Sequence, residues 1–359
     1  MSEDPGRHLT LVVPGLFGPA TVDGADHVEV AHLLTEGLSL PALERFLSRS
    51  TPVAPEHPEH GLAALLFGCF GVAREGPDWP VAAVTRRHDG GSGDGDWWLR
   101  ADPVHLRVDM GGLVLLDSAG LRITAVEAEA LTADINAQLD DPSWRLQALA
   151  AKRWYLSCDQ APRLATEAPW EVSGSSVAEH LPRGDEADRW RARINDIQMI
   201  LHASPVNRAR EHRGEPAINS LWLWGGGRTP RVPTGRWQCV WSADALLVGL
   251  AGLAQVASET LPEDAQSWLA RAPSPGNHLL VSSAAYVPVR CSDTDAWRSF
   301  VSGIEARWVA PLLDALASGR VHSVSLRTGG RRDFRLVRRQ LGHWWRRAKS
   351  FARIMSENR

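Results

Sequence analysis

HASPVNRAREHRGEPAINSLWLWGGG, residues His202 to Gly227, is the stretch that decides the fold. It closes a segment, Glu186 to Ala203, in which Trp190, Ile194, Ile197 and Leu201 recur at helical spacing. It then runs into Ser220 to Trp224, a continuous apolar run bounded by Gly225-Gly226-Gly227. That is the pattern of a buried strand ending in a glycine turn. Helix, loop and buried strand in succession indicate an α/β chain.

The same alternation extends outward. Upstream, Trp97 to Val108, Gly112 to Leu116 and Trp154 to Cys158 read as strands. Thr124-Ala125-Val126-Glu127 is a capping box, and Ala128, Leu131, Ile135 and Leu139 follow at helical spacing. Downstream come a helix over Ser242 to Ala257 and a strand over His278 to Ala284. A long helix from Trp297 to Leu316, kinked or split at Pro311, precedes a strand over Val321 to Leu326. At the start, Leu9 to Val13 is an opening strand closed by Pro14-Gly15. Leu33 to Leu47 is one or two short helices interrupted at Pro41. The expected fold is α/β, a largely parallel sheet flanked by helices with an inserted or capping α+β region. Residues 1–96 and 229–330 form the two parts of the core, 97–228 the cap-like region, and 331–359 a basic tail.

Composition bounds the rest. With 359 residues, 44% of them hydrophobic, the chain has ample core and is no disordered polymer. Trp is over-used: 16 against 7 Phe and 2 Tyr, which implies many half-buried positions with a partner for the indole N–H. Cys69, Cys158, Cys239 and Cys291 lie too far apart for metal or redox spacing. No secretory signal or span of about 20 apolar residues is visible, so the expected compartment is the cytoplasm, with no membrane partner. From Arg320 to Arg359 there are 12 Lys and Arg against Asp333 and Glu357, while the whole chain carries −3. This basic segment on an acidic body implies docking onto the body or an anionic partner. Arg338, Arg339, Trp344, Trp345, Arg346 and Arg347 interleave cations with aromatics as single-strand binders do, but docking is preferred and nucleic acid ranks as the weaker expectation.

No HExxH, GxSxG, Walker loop or CxxC pair is present, so no catalytic residue, metal ligand or cofactor is assigned. His57-Pro58-Glu59-His60 and Arg87 to Asp96 read as solvated loops, and Asp293 and Asp295 as caps of the helix near Ala296. Two segments carry anion-binding chemistry. In WLRADPVHLR, His105 and Arg107 share a strand face, and Arg100 joins them only through a bulge or bend near Pro103. In the opening stretch, the glycine turn allows a close ligand approach, with Arg208, Arg210 and Arg228 as anion contacts.

The opening stretch resembles a run of archaeal-type cofactor-independent phosphoglycerate mutases, matched here by Pro205, Val206, Asn207, Arg210, Gly214, Pro216, Asn219, Gly225 and Gly227. LRADPVHLRVDMGGLVLLDSAGLRITAVEAEAL resembles the same family's strand–strand–helix run. WLRADPVHLR, Trp154-Tyr155, IQMILHASPVN and NSLWLWGGG look still more like RpfE-type regulatory proteins, bacterial relatives named for regulation of pathogenicity factors. The resemblance implies an alkaline-phosphatase-like core. It also implies an anion-binding set of Arg100, His105, Arg107, Asn207, Arg210, Asn219, Gly225, Gly227 and Arg228, with at least Arg100, Arg210 and Arg228 meeting in one pocket.

The departures from that family are as informative. Where its opening strand ends in a metal-binding Asp-Gly, this chain has Val13-Pro14-Gly15. No counterpart of its Ser nucleophile is identified; Tyr286 to Trp297 has no His where Asp-x-x-x-His is needed; and SVSLRTGG replaces an Asp-His strand end. Two metals cannot be held without such ligands, and phosphoryl transfer then lacks its charge stabiliser. The expected function is a non-catalytic mutase-like protein with a regulatory role, binding a small phosphorylated or carboxylated metabolite or a protein partner. The rival expectations are a mutase or phosphatase with a relocated metal site, and a nucleic-acid regulator acting through the tail.

Overall fold

The computed structural model describes residues 6–19, 27–56, 61–92, 97–109, 112–172, 175–273, 275–342 and 346–358. The readings made on His57 to His60, on residues 93–96 and on Trp344-Trp345 lie outside the described residues. Twelve strands are described, in chain order: β1 (Arg7–Val12), β2 (Thr51–Val53), β3 (Trp97–Asp109), β4 (Gly112–Leu116), β5 (Trp144–Ala150), β6 (Arg153–Cys158), β7 (Ser220–Gly227), β8 (Cys239–Trp241), β9 (Ala257–Glu259), β10 (Gly276–Val281), β11 (Ser323–Arg327) and β12 (Asp333–Val337). The chain divides into two compact units, Met1–Gly71 with Val232–Arg359, and Val72–Arg231. Among the described residues no helix is long and apolar enough to cross a membrane.

The larger unit is built on a seven-stranded sheet of order β2-β12-β11-β1-β10-β8-β9. From β11 to β9 all neighbours are parallel; β12 and then β2 add antiparallel pairings at one edge. β1 owes its central place to an apolar run buried on both faces, as a parallel strand covered by helices requires. The fold class read from the sequence, a largely parallel sheet flanked by helices with a separate α+β region, is what the structure shows.

Local chemistry sets the helix ends here. Pro41 opens the Pro41–Arg49 helix, where its missing N–H costs nothing. That helix has no side-chain cap of its own. Instead the buried carboxylate of Glu305 accepts from the amides of Ala42 (2.8 Å) and Leu43 (2.7 Å). Glu305 opens a π-helical turn, Glu305–Val309, that joins the Thr294–Ile304 and Ala310–Ala317 helices. The break expected at Pro311 is therefore made one turn earlier, and Pro311 sits at the start of the last helix, where it is tolerated. Asp293 caps the Thr294–Ile304 helix through the Ala296 amide, as read.

The expected tail needs correction. Asp333–Val337 is a strand of the main sheet, with Phe334 and Leu336 in the core. The Phe351–Asn358 helix buries Phe351, Ala352, Ile354 and Met355 against the same core. Lys349 and Phe351 donate their amides to Ser48 Oγ and Glu44 Oε1, both at 2.8 Å, so this segment packs on its own unit.

The smaller unit is an antiparallel sheet in which β4-β3-β6-β5 run in order and β7 also pairs with β3. The Ala125–Leu139 and Ala187–Ala203 helices cover it, with Leu131, Ile135, Trp154, Trp190, Ile197 and Leu223 among the packed residues. The capping box forms as read: Thr124 Oγ1 accepts from the Glu127 amide (3.2 Å), and Glu127 Oε2 accepts from the Thr124 amide (2.9 Å). The unit begins at Val72 rather than at 97, because the Val81–His88 helix packs on β3 and β7.

The glycine run is also not the expected turn: β7 continues through Gly227. A Cβ on Gly226 would lie 2.3 Å from the Trp97 ring, and one on Gly227 2.6 Å from Pro80. Gly225 has φ +66° at a register shift opposite Trp98 to Arg100. These glycines let a Trp ring and a helix start approach the strand.

Candidate functional site

The predicted anion residues of the smaller unit are placed, but mostly on internal partners. Arg100 forks onto Asp102: Nε to Oδ1 at 2.9 Å, and Nη2 to Oδ1 and Oδ2 at 2.6 and 2.8 Å. Trp224 Nε1 donates to Asp102 Oδ2 at 2.8 Å, and the guanidinium lies near the rings of Trp224 and Tyr155, 5.1 and 5.4 Å from their centroids. Arg100 and Asp102 are only 5% and 3% exposed, so this is a buried, charge-assisted pair. Arg210 is fully buried; Nε donates to Pro216 O at 3.0 Å and Nη1 to Arg122 O at 2.7 Å and Glu127 Oε2 at 3.2 Å. Asn207 bridges Leu201 O, Ile218 O and Ile218 N, and Asn219 pairs with both backbone groups of Leu106. His105 Nδ1 meets Ala217 O at 2.8 Å. The Gly225 and Gly226 amides donate to Thr166 Oγ1 and Asp78 Oδ2.

Among the described residues Arg100 and Arg210 share no partner. Arg107 is exposed beside Asp109, Arg208 and Arg228 are exposed, and Gly227 packs on Pro80. The three arginines expected to meet are thus not gathered by any common contact, because two of them neutralise carboxylates and carbonyls of their own unit.

The carboxyl ends of β1, β10 and β11 are a different place, in the larger unit. Open α/β sheets bind ligands at such ends. After β1 the chain passes Val13-Pro14-Gly15. The Val13 amide donates to Arg327 O at 2.7 Å, and the Ser282 amide to Val12 O at 2.9 Å. Gly15 has φ +82°, which favours glycine. The fully buried indole of Trp297 closes over this turn, donating to Gly15 O (3.2 Å) and Leu16 O (3.3 Å).

At the end of β11 stands Arg327. Its Nη2 donates to Glu56 Oε1 at 2.6 Å and its Nη1 to Glu56 Oε2 at 3.3 Å, while Nε lies 3.7 Å from Asp333 Oδ2. Arg236 Nη2 donates to the same Glu56 carboxylate, and its guanidinium lies 5.4 Å from the Trp237 ring centroid. Trp237 Nε1 donates to Cys69 O at 2.9 Å, and Cys69 Sγ is 3.9 Å from Arg327 Nη1. Burial pushes the Asp333 carboxyl up to about 6, against the pull of Arg327. Burial would also raise Glu56, but hydrogen bonds from Arg236 and Arg327 outweigh it and hold Glu56 below the ordinary carboxylate value. The buried Cys69 thiol is pushed up.

Among the described residues, the side chains at this edge do not fit a divalent metal centre. Val13, Pro14 and Gly15 offer no side-chain ligand, Trp297 closes over the turn, and a guanidinium already sits between Glu56 and Asp333. Among the described residues no group of three or more His, Cys, Asp or Glu is placed to hold a metal ion. What the edge can do is hold an oxyanion: two guanidiniums converge on one carboxylate. Sequence reading missed this cluster because its members come from four separate segments. The only signal was Arg327 standing where the mutase resemblance called for an acid and a His.

The family comparison falls on one side of this division. A family model described as 2,3-bisphosphoglycerate-independent phosphoglycerate mutase matches residues 91–207, all within the smaller unit. A probable mutase of that type from Geobacter sulfurreducens is 29% identical over 141 residues, 39% of this chain and 35% of the relative. The enzyme of Methanosarcina mazei is 28% identical over 163 residues, 42% of this chain and 41% of the relative. The chain therefore spans well under half the length of these curated relatives. These matches relate it to archaeal-type cofactor-independent phosphoglycerate mutases. The PH0037 protein from Pyrococcus horikoshii shares the fold across 93% of this chain and 88% of its own, with a TM-score of 0.53 and 14% identity.

Proposed function

We propose that this protein is a relative of the cofactor-independent mutases, of the RpfE-type regulatory kind, that does not catalyse the mutase reaction and senses a small phosphorylated or carboxylated metabolite. The observation that carries the reading is the pair Arg327 and Arg236 sharing the Glu56 carboxylate at the carboxyl edge of the main sheet. In a metal-dependent mutase that place must attract cations. Here it is closed by Trp297, and the carboxylates of Glu56 and Asp333 are already paired with guanidiniums, so an anion that displaces Glu56 meets two positive partners. Glu56 occupies the fork as a ligand carboxylate would, from a loop segment with no regular structure, and its side chain is 42% exposed. An incoming phosphate or carboxylate takes its place without moving a strand. The segment around Arg346 and Lys349 is engaged with Arg49, Ser50 and Ser48, which favours docking over nucleic-acid binding.

Titration calorimetry with 3-phosphoglycerate and related three-carbon acids tests this reading. Arg327→Ala is expected to weaken binding by about tenfold to hundredfold, the worth of a bidentate charge-assisted contact. Arg327→Lys is expected not to restore it, since the planar fork is lost. Glu56→Gln is expected to tighten binding by roughly tenfold, because the internal competitor loses its charge. Binding by the wild type that is indifferent to all three changes, or no binding by wild type and Glu56→Gln alike, overturns the site.

A further inference from the structure

Glu167, Ser175 and His180 form a second polar cluster, in the smaller unit and separate from every residue used above. His180 Nε2 lies 2.8 Å from Ser175 Oγ, and His180 Nδ1 lies 2.5 Å from Glu167 Oε2. A carboxylate on Nδ1 keeps the proton of the neutral ring there, and leaves the Nε2 lone pair facing the hydroxyl. A nucleophile, a base within hydrogen-bond reach and a carboxylate that orients the base are the three roles of an activated serine, recognised by geometry rather than by chain order.

The frame around the cluster is fixed at several points. Ala165 and Arg183 exchange both backbone hydrogen bonds, 2.7 and 3.0 Å, and so pin the two ends of the segment. Trp222 Nε1 on β7 donates to Glu167 O at 2.7 Å. His180 closes the short 3-10 turn Val177–His180, and Arg183 adds a charge 3.7 Å from Glu167 Oε1. The His180 side chain is 14% exposed and Ser175 is half-buried, so the ring is shielded while the hydroxyl remains within reach of a small molecule.

We propose that Ser175 is a base-activated nucleophile that takes an acyl group from small activated esters. Ser175 Oγ attacks the ester carbonyl carbon, its proton passes to His180 Nε2, and the C–O bond to the leaving alcohol breaks as that proton is returned to the alcohol oxygen. Water then attacks the acyl-serine by the same route, releasing the acid and restoring the hydroxyl. Two contacts limit the rate. Ser175 Oγ also lies 2.9 Å from Val172 O, a competing acceptor, and the Ser175 amide already donates to Val172 O at 3.0 Å. The amide is therefore spent and does not serve as an oxyanion donor, so the substrate class is esters with good leaving groups, such as aryl esters, and not amides.

The probes are p-nitrophenyl acetate and a biotinylated fluorophosphonate, used on the full chain with peptide mapping of the label. The wild type is expected to label at Ser175 and to show slow ester turnover. Ser175→Ala, which removes one oxygen and keeps the loop, is expected to lose both signals. His180→Ala is expected to slow labelling by about 100-fold or more, the usual worth of a general base. Glu167→Gln is expected to lower the rate while the melting temperature stays near that of the wild type. No label on the wild type, label that persists in Ser175→Ala, or His180→Ala labelling at the wild-type rate overturns the proposal. None of these outcomes bears on the anion site at Arg327.

Discussion

Arg100→Ala is expected to destabilise the protein by about 3–5 kcal/mol, because it strands the Asp102 carboxylate in the core of the smaller unit. Asp102 is 3% exposed and takes its hydrogen bonds from the Arg100 fork and the Trp224 indole. Removing the guanidinium leaves only neutral donors, the Trp224 indole and the Trp154 amide, for a buried charge, and it empties the space beside the Tyr155 and Trp224 rings. Urea unfolding of the wild type and the variant, with the slope checked for constancy, measures the loss. The double variant Arg100→Met with Asp102→Leu should recover much of it, since replacing both partners with apolar groups removes the stranded charge. A loss below about 1 kcal/mol for Arg100→Ala would show that the pair is wet, and would make Arg100 available again as a ligand contact.

Trp297→Ala is expected to cost about 3–5 kcal/mol in the larger unit, the range for deleting a large buried aromatic. Its ring is fully buried, and its N–H serves the Gly15 and Leu16 carbonyls, one of them in a turn that needs φ +82°. The variant opens space at the end of β1 but supplies no carboxylate. It should therefore unfold at lower urea concentration without gaining affinity for Mn. A gain of Mn binding in Trp297→Ala would mean that the ring covers metal ligands, and would count against an edge that cannot hold a divalent cation.

Much of the fold was legible in short-range patterns. The capping box at Thr124, the interruption at Pro41, the Asp293 cap and the apolar runs of β1 and β7 depend on residues close in the chain, and each formed where the pattern put it. The misreadings share one cause: a distant residue decided the outcome. Gly225 to Gly227 looked like a turn because glycines usually make turns. Their reason is the ring of Trp97 and the start of the Val81–His88 helix, more than 120 residues away by rough count, which no local window contains. Asp333–Val337 was hidden inside a run of arginines, although its alternation of buried and exposed residues is that of an edge-side strand.

The site was legible only in outline. Arg100 and Asp102, two apart on one strand face, could have been recognised as mutual partners before either was offered to a ligand. The Arg327–Glu56–Arg236 cluster had no such signal, since only tertiary folding brings its members together. The match to the mutase family model, residues 91–207, lies within the smaller unit, and the carboxyl edge lies in the larger one.

The most direct test of the central claim is the metal content and mutase activity of one preparation. The purified protein is incubated with Mn, gel-filtered, analysed for bound metal, and assayed for interconversion of 3- and 2-phosphoglycerate. The carboxyl edge, with Val13-Pro14-Gly15 beneath Trp297 and Arg327 at the end of β11, predicts metal far below one ion per chain and a rate no higher than the protein-free blank. One or two tightly held Mn ions per chain together with mutase turnover above that blank would contradict it.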